Sequence, residues 1–140
     1  DLHEPKGVAA AAAGKIYRSN GLGGGSWVVP PHTINAVIDD VSTASTIYIP
    51  VPYAGTVTKV VTVLAGSLTT ANAIVTVRNA AGTSMGTLTI TQAGSAAGDV
   101  DTLLPASNNT FVSDSKIQID TDGASDTTRK LFVTVYIQGS

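Results

Sequence analysis

Two histidines and ten carboxylates carry whatever acid–base chemistry this chain could perform. His3 sits in a stretch with no pattern that would hold its geometry. His32 follows Pro30-Pro31, and Asp39 or Asp40 with one of many serines could complete a nucleophile–base–acid triad around it. No nucleophile-elbow pattern accompanies that set, and serine is too common here to point anywhere. His32 therefore reads as a surface or hinge histidine. A glycosidase needs two carboxylates, usually including a glutamate, and the single glutamate is Glu4, close to the start. No enzyme activity is expected.

The aspartates offer metal chemistry instead. Asp99 with Asp101, and Asp120 with Asp122, are each separated by one residue. On a strand that spacing puts both carboxylates on one face, where they repel unless a cation or a lysine intervenes. The run Asp120-Thr121-Asp122-Gly123-Ala124-Ser125-Asp126 has the glycine-bent, oxygen-rich character of a calcium loop. It lacks the third regularly spaced acid and the closing glutamate of an EF-hand. A plain Asp-Gly turn into the last strand accounts for it without metal. Gly21-x-Gly23 would need glycine at position 26 to match a dinucleotide fingerprint, and Ser26 stands there with no strand–helix context. No metal or cofactor is expected. Asn108-Asn109-Thr110 matches a glycosylation acceptor, which matters only in a secretory pathway.

The elements that would position these groups fall into two unlike parts. Residues 1–31 hold Ala9 to Ala13, Gly14 and the glycine-rich Asn20 to Gly25, and they close on Pro30-Pro31. An alanine piece that short is marginal as a helix, and the glycine run behaves as a flexible linker. Ile16, Tyr17, Trp27 and Val28 are its apolar anchors, so the segment reads as an arm that orders against another surface. From His32 the pattern becomes strand, turn, strand. Ile34-Ala36-Ile38, Ile47-Ile49-Val51, Ala73-Val75-Val77, Leu88-Ile90, Ile117-Ile119 and Leu131-Val133-Val135-Ile137 each alternate with polar or outward residues. Period two marks strands with one face buried. Adjacent Val60-Val61 breaks the alternation and predicts a bulge or two-sided burial. Pro50 and Pro52 predict an edge strand or corner. Seven or eight short strands predict an all-β chain: a single antiparallel, jelly-roll-like β-sandwich over 32–140, preceded by an extended arm over 1–31.

Composition narrows the partners. Charged residues are 13% of the chain, against about 25% in an ordinary soluble domain. Such a surface self-repels weakly and suits packing against neighbours. The net charge is −2 and the basic residues are scattered, so nucleic acid is not an expected partner. There is no cysteine for a disulfide framework or a thiolate zinc site. No apolar run approaches the roughly 18 residues of a membrane span, and the first residues lack the pattern of a signal peptide.

Two stretches look familiar beyond composition. His3-Glu4-Pro5-Lys6-Gly7-Val8-Ala9-Ala10, leading through Gly14-Lys15-Ile16-Tyr17-Arg18-Ser19-Asn20-Gly21 to Gly24-Gly25-Ser26-Trp27, resembles an arm of tailed-bacteriophage virion proteins. The stretch from Ile47-Tyr48-Ile49-Pro50-Val51-Pro52-Tyr53-Ala54-Gly55 through Gly94-Ser95-Ala96-Ala97-Gly98-Asp99 to Asp120-Thr121-Asp122-Gly123 is similar to a β-sandwich module of phage structural proteins. The resemblance implies a capsid decoration (cement) protein on the outer surface of the head, assembled in the host cytoplasm. Its partners would be the major capsid protein and copies of itself, as a homotrimer. The alternative it implies is a head-fibre or tail-fibre component binding host-surface glycans, with Tyr48, Tyr53 and Tyr136 as the aromatic candidates. No internal repeat or heptad shaft supports an extended fibre.

Overall fold

Strict alternation of β-branched residues leaves the chain little choice but pleated strands, and strands dominate the structure. The computed structural model describes residues 14–22 and 24–140. The alanine-rich piece and the His3 start lie outside the described residues. Among the described residues eleven strands run in chain order: β1 (Ile16–Ser19), β2 (Gly25–Val28), β3 (His32–Ile38), β4 (Ser45–Val51), β5 (Gly55–Leu64), β6 (Ala73–Arg78), β7 (Ser84–Ile90), β8 (Val100–Leu103), β9 (Thr110–Phe111), β10 (Ser115–Thr121) and β11 (Leu131–Gly139).

Two antiparallel sheets face one another. One has the order β4-β10-β6-β7, the other β3-β11-β5-β8, with β9 pairing the start of β5. The pairing is nested. β6 and β7 form the innermost hairpin, β5 pairs β8, β4 pairs β10, and β3 pairs β11 at the two ends of the domain. This is the wrapped arrangement of a jelly roll, as the strand pattern predicts. The inward residues of every alternating run supply the core, among them Ile38, Val75, Ile90, Ile117, Leu131 and Val135. Each such side chain contributes about 1.5–3 kcal/mol by leaving water.

The bulge occurs on the expected strand, slightly earlier. Tyr136 pairs Lys59 while Ile137 pairs Val57, so Thr58 is the extra residue. The insertion switches the phase of β5: Gly55 and Val57 face inward before it, Val60, Thr62 and Leu64 after it. The break in alternation at Val60-Val61 is the trace of this switch. β4, which carries Pro50, is an edge of its sheet as expected.

The Asp122-Gly123 turn does not make the expected hairpin. β10 and β11 belong to different sheets, so residues 122–130 cross between them. Gly123 has φ of +68°, and a side chain there would run into the backbone of Ala44. The sequence reading also lacks β8 and β9. β8 carries an aspartate in its inward phase, and β9 is two residues long, too short for a period to show.

Candidate interaction surfaces

Among the described residues β1 and β2 pair only with each other, in the register Ile16↔Val28, Tyr17↔Trp27, Arg18↔Ser26 and Ser19↔Gly25. The second half of the segment read as an extended linker is thus a hairpin. Asn20 builds its turn: the side-chain Oδ1 accepts from the Leu22 and Gly24 amides at 2.9 and 3.1 Å, and the Asn20 amide donates to Gly24 O at 3.0 Å. Gly25 is needed for a second reason. The Tyr17 ring lies across it, where a side chain would collide. Tyr17 and Trp27 pack edge to face at 5.4 Å. Such a pair adds about 0.5–1.5 kcal/mol to a hairpin that alone is marginal in water. Of the four expected anchors, Tyr17 and Trp27 therefore meet each other, Val28 is half-buried, and Ile16 is 50% exposed. Trp27 Nε1 is shielded from water and has no hydrogen-bond partner among the described residues. The hairpin joins the sandwich through Val29, which packs on Gly139 and accepts a 3.5 Å hydrogen bond from Gln138 Nε2.

The outer faces of the two sheets differ in kind. On the four-stranded sheet, Thr46, Asp120, Thr76 and Thr87 form one cross-strand row and Tyr48, Gln118 and Arg78 the next. Arg78 is ion-paired with Asp120, which also accepts from Thr46 Oγ1 at 2.8 Å. That face satisfies its own polar groups and suits water. On the five-stranded sheet, Val37, Phe132, Val63 and Val100 are successive cross-strand partners, an apolar row spanning all four long strands. Val37, Phe132 and Val100 are 42, 48 and 61% exposed. Beside it run Asn35, Thr134, Val61 and Thr102, then Thr33, Tyr136 and Lys59. Lys59 is the single charged side chain of these rows, and its ammonium lies over the Tyr136 ring at 4.5 Å.

Sequence reading missed this row. The signal was present: Val37 and Phe132 are apolar residues on the otherwise polar phase of β3 and β11. Only the register aligns them with Val63 and Val100.

The other candidate residues do not converge. His32 packs edge to face on Tyr53 at 5.7 Å, with Nε2 buried and without a hydrogen-bond partner among the described residues. Asp39 lies seven residues further on, about 23 Å along an extended chain. Asp39 is ion-paired with Lys130, and Asp40 accepts from Ser42 and Thr43. The acids of the 120–126 run face separate partners: Arg78 for Asp120, the Ile74 amide for Asp122, and Thr70 for Asp126. The tyrosines are also dispersed. Tyr48 lies on the four-stranded face under Lys116, Tyr136 on the five-stranded face, and Tyr53 beside His32.

No protein family and no curated protein matches the chain in sequence. Solved structures do match in shape. A chain of the acid-stable capsid of Helicobacter pylori bacteriophage KHP30 superposes with a TM-score of 0.55 at 16% identity, covering 79% of this chain and 89% of that one. A chain of the cyanophage Pam1 capsid asymmetric unit superposes with a TM-score of 0.51 at 12% identity, covering 100% and 94%. What is shared is the fold. Both similar chains come from the shells of phage particles, and both are matched over most of their length.

Proposed function

We propose that this chain is a structural component of a bacteriophage head, a decoration protein that sits on the outer surface and ties capsid subunits together. The observation that carries the reading is the uncharged apolar row across the five-stranded sheet. An exposed row of this kind is stable in an assembly and a liability in a monomer. The likeness in fold to chains of two phage capsids supports the same location. In this reading the sandwich lies with its five-stranded face toward the capsid lattice and its polar face outward. Residues 1–31 act as the arm, and its hairpin presents Ile16, Trp27 and Val28 to the major capsid protein or to a neighbouring copy. Self-association as a trimer multiplies contacts that are individually modest.

Copy number in purified particles tests this reading. Quantitative mass spectrometry against the major capsid protein is expected to give a simple ratio to capsid subunits, hence hundreds of copies. About a dozen copies would place the chain in a fibre or vertex, and none would remove it from the particle. Deleting residues 1–31 is expected to leave a folded sandwich that no longer binds heads lacking it. Glycan recognition is not favoured: Tyr48 stands on the other sheet from Tyr136, and both carry a lysine over the ring.

A further inference from the structure

Four strands end the two large sheets, β4 and β7 in one, β3 and β8 in the other. An exposed sheet edge is a row of unpaired amides and carbonyls that invites another chain, and folded proteins blunt it. Three of the four edges are blunted here. β4 carries Pro50, which has no amide to offer. β7 is broken by Gly86, at a φ of +147°, beside a register shift against β6. β8 is 4 residues long and carries Asp101. β3 has none of these devices. Its 7 residues, His32-Thr33-Ile34-Asn35-Ala36-Val37-Ile38, include no proline, glycine, lysine or acid, and they pair β11 without a register break. Among the described residues no backbone hydrogen bond outside the β11 ladder reaches the β3 main chain.

The core is open along the same side of the sandwich. Ile34 and Ala36 on β3 and Ile47 on β4 are inward residues, yet each is only partly buried, whereas Leu131, Val133, Val135 and Ile137 on the adjacent β11 are fully buried. On the outer face, the apolar row reaches this edge at Val37. β3 is also complementary to its own reverse. Set antiparallel to a second copy about a two-fold axis through Asn35, the whole strand pairs: Asn35 meets its counterpart, Ile34 meets Ala36, Thr33 meets Val37 and His32 meets Ile38. Large meets small on the inner side, and no like charges are opposed. Asn35 Oδ1 accepts from Thr134 Oγ1 at 2.8 Å, which leaves the amide nitrogen to donate across the axis.

We propose that β3 is a self-pairing edge, at which two copies of this chain join antiparallel about a two-fold axis through Asn35 and fuse their five-stranded sheets into one. The added ladder satisfies the outward main-chain groups of both strands, and each copy covers the other's Ile34 and Ala36. The two apolar rows come to lie on one continuous outer face. Such a contact is isologous, so it links copies beyond a trimer rather than within one. One strand pair is a small interface, and the dissociation constant is expected at about 10–100 μM. The inference is independent of the capsid reading, since the pairing needs only the folded chain.

The chain has no cysteine, so single cysteines introduced on β3 report its register. Asn35→Cys lies on the axis and is expected to give a disulfide-linked dimer under mild oxidation, because antiparallel partners bring their Cα atoms to about 4.5–5.5 Å. Thr33→Cys and Val37→Cys each lie about 14 Å from their own counterparts, so each alone stays unlinked and the two mixed together cross-link. Sedimentation of the full chain from about 5 to 500 μM is expected to show a reversible doubling of mass. Asn35→Lys sets two ammoniums against each other and is expected to weaken that association at least about tenfold with the melting temperature unchanged. A mass that does not double, an association untouched by Asn35→Lys, or a Thr33→Cys that links as fast as Asn35→Cys would overturn the proposal. Should Asn35→Lys fail to fold, the cysteine pattern decides. Association lost in Phe132→Ser and kept in Asn35→Lys would assign it to the apolar row and defeat the β3 pairing. Particle copy number tests the capsid reading separately, so the two can fail apart.

Discussion

Gly123 and Gly82 both adopt positive φ, +68° and +82°, but their surroundings differ. Gly82 closes the β6–β7 turn in open space, its neighbour Asn79 accepting from the Ala81 and Thr83 amides. Gly82→Ala is expected to cost about 1 kcal/mol, the conformational term alone. Gly123→Ala adds a collision with the Ala44 backbone and is expected to cost about 2–3 kcal/mol, read as the difference in urea midpoints. Two aspartates set opposite pH dependences. Hydrogen bonds from Ser42 hold the Asp40 carboxyl below 3.8, so its contribution is present above that pH and lost on acidification. Asp101 is raised by burial, and secondarily by the charge of Asp99, so its contribution is complete below 3.8 and lost as pH rises through its shifted value. Asp101→Asn is therefore expected to stabilise the chain at neutral pH and to change nothing below about pH 3.8, checked by urea unfolding across that window.

β11 shows how one strand serves two purposes. Leu131 is fully buried between the sheets, while its neighbour Phe132 stands 48% exposed on the outer face. Leu131→Ala is expected to cost about 2–5 kcal/mol of stability, and Phe132→Ser about 0.5 kcal/mol. If the apolar row is the capsid-facing surface, the order reverses for particle binding, where Phe132→Ser should abolish attachment while leaving the melting temperature nearly unchanged. The hairpin is a separate element in the same sense. Trp27→Ala removes the edge-to-face pair with Tyr17, and β1–β2 has no ladder to either sheet. Amide exchange is expected to accelerate across Ile16 to Val28 with no change in the protection of the sandwich.

Nested pairing shapes the behaviour of the whole molecule. The outermost pair joins His32 to Ile137 across almost the full length of the sandwich. Long-range pairing of this kind must close large loops before it gains contacts, so refolding is expected on the millisecond-to-second scale, measured by stopped-flow far-UV dichroism. The same topology puts the hairpin beside the end of β11, where Val29 meets Gly139.

Strand content, the inward set of the long alternating strands β3 to β7, β10 and β11, the edge character of Pro50 and the bulge on β5 were legible in the residues, because period two and missing amide donors act locally. Tyr17 and Trp27 could be picked out as anchors by type. Their pairing with one another could not, since Asn20 and Gly25 had to turn the chain first. The apolar row on the five-stranded face depends on register: Val37, Phe132, Val63 and Val100 are unremarkable singly and lie far apart in sequence. The same holds for the loop at Gly123, which crosses between sheets instead of reversing within one. Local sequence determined which residues are extended and which way each faces. Tertiary structure alone decided which of them are neighbours, because cross-strand contacts are fixed by pairing register, and register is set by how the whole set of strands fills one core.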